Sequence, residues 1–288
     1  MKLTDARFAY LLLIPILVAN FLIIIYPLAT SFVNSFLDIN IYKNTADFVG
    51  LDNYIRLIGD STVLKSTWIT FRFAIEGVTL AIILAFGIAL LLNEEFYGRK
   101  FLRIAVILPW AISEYSVAAM WKNILVQSYG PLNGFLYQTG LIQKHLMYLS
   151  PGHAIDWLAV AWAWHWAPIG AFFLLASLQT IPQPLYSAAR MDGAGVIRRF
   201  TKVVFPHMKY AFLIVTVFLT LEVLRAFDII YIMTGGGPGD ITKVLTLRIY
   251  EYYFEYSLYS YASAISYYPI LIAFVVATVY FLILNKKS

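Results

Sequence analysis

The chain has 288 residues, 61% of them hydrophobic and 13% charged, with a mean hydropathy of +0.74 and a formal net charge of +5. Soluble domains are roughly 45–50% apolar and about 25% charged, so a bilayer rather than water is the natural solvent, and one membrane domain over residues 1–288 is expected. The absence of cysteine excludes disulfides, thiolate nucleophiles and thiolate metal sites.

Six apolar runs have the length that crosses a ~30 Å hydrocarbon core. In chain order they fall at residues 8–29, 71–92, 104–126, 155–177, 211–233 and 262–284, which predicts an all-α integral membrane protein of six transmembrane helices. Pro15, Pro109, Pro168 and Pro269 lie in these runs and are expected to kink rather than forbid a span, since neighbouring helices can satisfy the freed backbone groups. The first run exceeds the 7–15 residues of a signal-peptide core, and Asn20 to Tyr26 offers no small-residue cleavage site. It reads as a span that is retained.

The loops alternate in charge. Lys2 and Arg7 precede the first span; Arg99, Lys100 and Arg103 separate the second from the third; Arg190, Arg198, Arg199, Lys202 and Lys209 lie between the fourth and fifth; Lys286 and Lys287 follow the sixth. The positive-inside rule makes these segments, and with them both termini, cytoplasmic in a multi-pass cell-membrane protein. In the intervening loops Lys43, Arg56, Lys65, Lys144, Lys243 and Arg248 are mixed with acidic residues and face outward. The basic excess is therefore used for topology, and no nucleic-acid partner is expected.

The cytoplasmic connection over about residues 181–207 contains "SAARMDGAGVIRRFTKVVFP", residues 187–206. Pro184 suits the first turn of a helix that ends at Gly193, with Gly195 a second cap or turn. A second helix follows, with Val196, Ile197, Phe200, Val203 and Val204 on one face and Arg198, Arg199 and Lys202 on the other; Pro206 is expected to stop it. Such a basic amphipathic helix can lie in the headgroup boundary. The small residues Ser187, Ala188 and Ala189 ahead of it favour a protruding helix-turn-helix that docks another protein.

This stretch resembles the cytoplasmic "EAA" signature of permease subunits in binding-protein-dependent ABC importers. Ala188, Ala189, Asp192, Gly193, Ala194, Phe205 and Pro206 occupy matching places, while Ser187 stands where the signature has Glu. "GLDNYIRLIGD" (residues 50–60) and "TGGGPGDITKVLTLRIYEYYF" (residues 234–254) resemble the outward loops of the maltose and glycerol-phosphate type carbohydrate-uptake permeases. The resemblance implies a second permease, a different chain in a heterodimer, two ATPase subunits that bind ATP and Mg, and an extracellular or periplasmic solute-binding protein. It assigns ATPase coupling to Ser187, Ala188, Ala189, Asp192, Gly193, Ala194 and Pro206, and implies import of a sugar or oligosaccharide by alternating access. Another polar solute such as glycerol phosphate is the alternative; a secondary transporter would show an inverted repeat, and none is found.

The chain has no G-x-x-x-x-G-K-[ST], H-E-x-x-H or G-x-S-x-G, and its four histidines form no ligand cluster. It is thus expected to be a transport subunit without an ATPase site, cofactor or metal of its own. Ionisable groups inside spans are costly and are functional candidates. Glu222, Arg225 and Asp228 follow at steps of three in the fifth span, as neighbours on one helix face, with Glu222 near mid-span. They line a polar substrate cavity or form an ion pair that fixes packing. Arg72 and Glu76 read as a structural pair. His165 and Trp166 in "WAWHWAP", and Tyr267 in the sixth span, are further cavity candidates, with core packing and interfacial placement as the plainer readings.

Overall fold

The computed structural model describes residues 5–41 and 43–285; Lys2, Lys286 and Lys287, used above for orientation, lie outside the described residues. Five helices among them are long and apolar enough to cross a membrane: Tyr10–Asn34, Ser61–Asn93, Ala154–Leu178, Val196–Leu224 and Tyr259–Leu282. A sixth span results if Arg99–Ala111 and Glu114–Ile124, bent by 96° at the break between them, count as one.

Helix α1 (Asp5–Asn20) passes through a π-helical turn, Phe21–Ile25, into α2 (Tyr26–Asn34) without a break. The π turn lies just before Pro27, and the Tyr26 N–H donates to the Phe21 carbonyl. In a regular α-helix proline lacks one donor and its ring collides with the carbonyl four residues back; a widened turn ahead of it relieves that collision. A short antiparallel hairpin follows, β1 (Leu37–Asn40) with β2 (Thr45–Phe48), in register Leu37 to Phe48 and Asn40 to Thr45. No strand is legible in the sequence, because four-residue strands carry too little alternation to register against long apolar runs. Then come α3 (Asp52–Gly59) and α4 (Ser61–Asn93). Helix α4 starts well before residue 71, since its first turns are amphipathic: Val63, Ser66, Thr67 and Thr70 are buried there.

The third expected span, residues 104–126, is not one helix. Helix α5 (Arg99–Ala111) ends at an extended Ile112, and Ser113 caps α6 (Glu114–Ile124), its Oγ accepting the Ser116 N–H at 3.4 Å. After α7 (Pro131–Gln138), α8 (Ala154–Leu178) carries Pro168 within an uninterrupted helix. The fifth expected span also differs. Helix α10 (Val196–Arg199) runs through a second π turn, Phe200–Val204, into α11 (Phe205–Leu224), so Pro206 does not stop the helix and the span begins before residue 211. The same device works here as at Pro27: the Phe205 N–H donates to the Phe200 carbonyl. At its other end α11 stops at Leu224, and α12 (Asp228–Met233) starts a new helix. Helix α13 (Leu245–Tyr250), a third π turn (Glu251–Glu255) and α14 (Tyr259–Asn285) complete the chain, with α9 (Gln183–Met191) lying between α8 and α10.

The chain divides into two compact units. One comprises the described residues through Leu64 with Arg248–Leu271; the other comprises Lys65–Leu247 and the described residues from Ile272. In the second, α4, α8 and α11 approach through small residues. A Cβ on Gly170 would come within 3.2 Å of Ala85 Cβ and Val215 Cγ1, and one on Gly77 within 3.0 Å of the Trp162 ring. Ala81, Ala85, Ala89, Ala159, Ala163 and Ala171 are fully buried, as expected where membrane helices gain contact by close backbone approach.

In the first unit the hairpin and α3 are tied together by polar contacts. Asn53 Nδ2 donates to the carbonyls of Ser35 (3.0 Å) and Leu37 (2.8 Å), and the Ile39 N–H donates to Ser260 Oγ at 3.0 Å. Asp60, just ahead of α4, accepts from Thr62 Oγ1 at 2.6 Å, Tyr261 OH at 2.8 Å and Tyr252 OH at 3.1 Å. Burial alone would raise its pKa, but the hydrogen bonds from Thr62, Tyr261, the Thr62 amide and Tyr252 outweigh burial and hold it at about 2. A depressed folded-state pKa contributes stability that is complete above the ordinary carboxylate value of 3.8 and is lost as pH falls through about 2. Thermal unfolding of the purified chain between pH 5 and pH 2 should therefore show an acid-side loss that is shallower in Asp60→Asn, which is itself less stable at neutral pH; equal acid profiles would remove this role.

Candidate functional site

Two features of the second unit hold most of the site residues expected from the sequence. The first is the turn that joins α9 to α10. Helix α9 has proline in its first turn and ends in a Schellman motif: Gly193 takes φ +68°, its N–H donates to the Arg190 carbonyl at 3.0 Å, and the Ala194 N–H reaches back to the Ala189 carbonyl at 2.9 Å. Gly195 has ordinary dihedrals (φ −63°, ψ 173°) and is the N-cap of α10, not a second C-terminal cap. Ser187, Ala188, Asp192 and Gly193 are exposed and Ala189 and Ala194 half-buried, so the small-residue face of α9 is open. A Cβ on Gly193 would meet nothing within 4 Å, whereas Pro206 stands apart from the turn, inside the helix that follows.

The second feature is a group of four charges at three helix ends. Arg225 is the C-cap of α11 and its Nη2 bonds Glu222 Oε2 at 2.5 Å, three residues back. Asp228 opens α12 and is exposed, and Glu114 opens α6, against which α12 packs. Glu114 lies within electrostatic reach of Asp228, Glu222 and Arg225, and its Oε1 is buried with no hydrogen-bond partner. The expected single helix face for Glu222, Arg225 and Asp228 is not found, because the helix breaks at residues 225–227, and Glu222 sits near a helix end rather than mid-span. The charges still gather, with the carboxylates of Glu114 and Asp228 at helix N-termini and the guanidinium at a C-terminus, each where the helix dipole favours it.

Glu114 was missed in the sequence. A lone carboxylate within the third apolar run, preceded by Ser113 as a cap, was signal enough: an acidic residue in a span and a helix-start pair at the same place.

His165 does not join this group through its own contacts. It is 4% exposed, and its Nδ1 is 2.7 Å from the Pro109 carbonyl, near the α5 to α6 break, so it supplies a partner where the helix ends. Trp166 packs edge-on against His165 and Phe218, and its indole Nε1 is buried without a partner. Tyr267 belongs to the first unit; its OH donates to the Leu28 carbonyl at 2.6 Å. Arg72 forms the expected pair with Glu76 (2.7 Å) and a second with Asp156 (2.6 Å) at the start of α8. Among the described residues no three His, Asp or Glu side chains are placed to hold a metal ion.

The membrane-spanning helices of this chain are thus interrupted by an exposed small-residue turn and by charges gathered at broken helix ends. Over residues 77–286 it matches the family described as binding-protein-dependent transport system inner membrane component, and it belongs to that family. It is 35% identical over 92% of its length, and 90% of the relative's, to the trehalose/maltose transport system permease protein MalF of Thermococcus litoralis. To the sulfoquinovosyl glycerol transport system permease protein SmoG of Agrobacterium fabrum it is 32% identical, over 100% of this chain and 94% of that one. The sn-glycerol-3-phosphate transport system permease protein UgpA of Shigella flexneri is 30% identical over 84% of this chain and 82% of its own. A solved bacterial ABC transporter involved in import of the acidic polysaccharide alginate shares the fold, with a TM-score of 0.82 at 20% identity over 98% of this chain and 96% of that one.

Arg225 is 73% exposed and Glu222 only 15%, so screening limits what the pair contributes to folding. A double-mutant cycle with Glu222→Gln and Arg225→Gln, read from thermal unfolding of the purified chain, should give a coupling of at most about 1 kcal/mol; several kcal/mol would mean that the pair fixes the packing.

Proposed function

We propose that the chain is a permease subunit of an ATP-driven importer for a sugar or other neutral glycoside, delivered by an external solute-binding protein. Near-full-length similarity to a trehalose/maltose permease carries this reading. The charge group supports a neutral substrate over glycerol phosphate: the acidic side chains Glu114, Glu222 and Asp228 outnumber the one guanidinium, Arg225, so a phosphate dianion there gains no net attraction. Carboxylates accept well from sugar hydroxyls, and the half-buried aromatic face of Trp166 suits a sugar ring.

In this reading the exposed face of α9 docks a partner ATPase, which binds ATP and Mg, hydrolyses the nucleotide and leaves this chain without catalysis of its own. A second permease completes the pathway as a different chain. The Lys/Arg distribution supports an orientation with the α9 turn and both termini in the cytoplasm and the loop at residues 234–244 outside. Ser187 replaces an ionic contact by a hydroxyl, which already leans back toward the Gln183 carbonyl at 3.4 Å.

Reconstituted with its partner subunits in proteoliposomes, the complex should take up a labelled neutral disaccharide or oligosaccharide only with ATP and binding protein, with weak competition from glycerol 3-phosphate. Uptake of glycerol phosphate alone would overturn the sugar reading. In the same assay Gly193→Asp should insert normally, because an αL side chain costs only about 1–2 kcal/mol and meets open space within the chain, yet should lose most ATPase pull-down and uptake. Undiminished association would remove the α9 turn from the interface.

Orientation is tested separately. The chain has no cysteine, so single replacements report cleanly on an impermeant maleimide in intact cells: Gly237→Cys should be labelled and Ala194→Cys should not. The opposite pattern inverts the topology.

A further inference from the structure

An apolar groove of about 350 Å³ opens beside the α9 turn, lined by Phe86 and Leu90 of α4, Tyr186 of α9, and Val196, Ile197, Arg199, Phe200 and Val204 of the helix that follows. Its volume is at the lower end of the ~300–1,000 Å³ of ligand clefts. Seven of its eight lining residues are apolar or aromatic and the eighth is Arg199. The Arg199 Nε is buried and has no hydrogen-bond partner, while the residue as a whole is half-buried, which leaves its guanidinium able to meet an anion at the groove. Arg198 and Lys202 are exposed on the same short helix, and the opposing charge of Glu94 reaches Tyr186. Val196 and Ile197, 73% and 81% exposed, continue the apolar lining outward.

A water-soluble anion has no use for such a lining, and a neutral lipid leaves the guanidinium unmet. A ligand with an acyl chain and an anionic head satisfies both. We infer that this groove binds an anionic phospholipid, its acyl chain against Phe86, Leu90 and Phe200 and its phosphate on Arg199, with Arg198 and Lys202 adding attraction at the rim. Basic groups beside membrane helices attract anionic headgroups in this way. The helix over residues 196–204 then has a lipid as one of its contacts, in addition to whatever docks on the open face of α9.

The test is native mass spectrometry of the full-length chain titrated separately with phosphatidylglycerol and phosphatidylcholine of the same acyl composition. Phosphatidylglycerol should be retained about fivefold or more over phosphatidylcholine, the preference expected from one or more basic groups near a headgroup. Arg199→Gln should cut that preference severalfold, leaving only the weaker attraction of Arg198 and Lys202, and Arg199→Lys should keep most of it. Leu90→Trp, which fills the groove and leaves Arg199 in place, should lower retention of both lipids, and it keeps the test available if Arg199→Gln does not fold. A phosphatidylglycerol with a photoreactive acyl chain should label peptides containing Tyr186 or Phe200. Equal retention of the two lipids by the unaltered chain, labelling confined to other helices, or full displacement of phosphatidylglycerol by millimolar inorganic phosphate would each overturn the proposal, the last by showing that a free anion is what Arg199 binds.

Discussion

Inside a hydrocarbon core nothing except the protein can accept or donate a hydrogen bond, and each backbone group left unmet costs several kcal/mol. This chain meets that constraint at three interruptions of its long helices. At Pro27 and Pro206 it inserts a π turn, so that the backbone continues past a residue with no N–H. At the α5 to α6 break the exposed carbonyl of Pro109 is met by His165 Nδ1. Polar side chains within the spans are spent on their own helices: Thr30, Thr216, Thr220 and Thr278 each donate to the carbonyl four residues back. A residue that looks reactive in the sequence, such as His165, can thus have a ring nitrogen engaged in keeping the backbone satisfied.

The same constraint explains how the second unit holds together. Apolar burial gives little advantage in lipid, so the α4, α8 and α11 contacts depend on close approach at Gly77, Gly170 and the buried alanines rather than on large side chains. Trp162 and Phe73, edge to face at 6.2 Å, fill the space left beside Gly77. Charges are then placed at helix ends or in pairs, as Arg72 with Glu76 within α4, where dipoles or nearby partners reduce their cost. Glu114, Glu222, Arg225 and Asp228 come together because two helices break at the same place, not because their sequence positions share a face.

Apolar length carried the fold well. The runs around residues 8–29, 71–92, 155–177 and 262–284 all lie within or across long helices, because hydropathy over about 20 residues responds to the bilayer itself. It failed at residues 104–126 and 211–233, where a continuous apolar run conceals a broken backbone: the breaks at 112–113 and 225–227 depend on local dihedrals and caps, not on hydropathy. Proline was misleading in both directions, since Pro206 lies in a helix that was expected to end there, while the third run bends two residues beyond the helix that contains Pro109. Gly193 was legible because a Schellman turn needs a positive φ that glycine supplies, and Gly195 was not, because its dihedrals are ones any residue adopts. Glu114 shows the remaining gap: which charges meet depends on two helix ends from distant parts of the chain.

Pro206 was expected to separate the amphipathic helix from the fifth span, and the π turn joins them instead. From Val196 to Leu224 the backbone is one helix of 29 residues, about 43 Å at ~1.5 Å per residue. A rod of that length cannot tilt at one end alone. Any push received beside Gly195 must swing the Glu222 and Arg225 end in the opposite sense about wherever the rod is gripped, and the tight contact of Val215 with Gly170 supplies such a fulcrum. A tilt about that contact would carry the Glu222 end together with the end at residue 196, because one helix joins them.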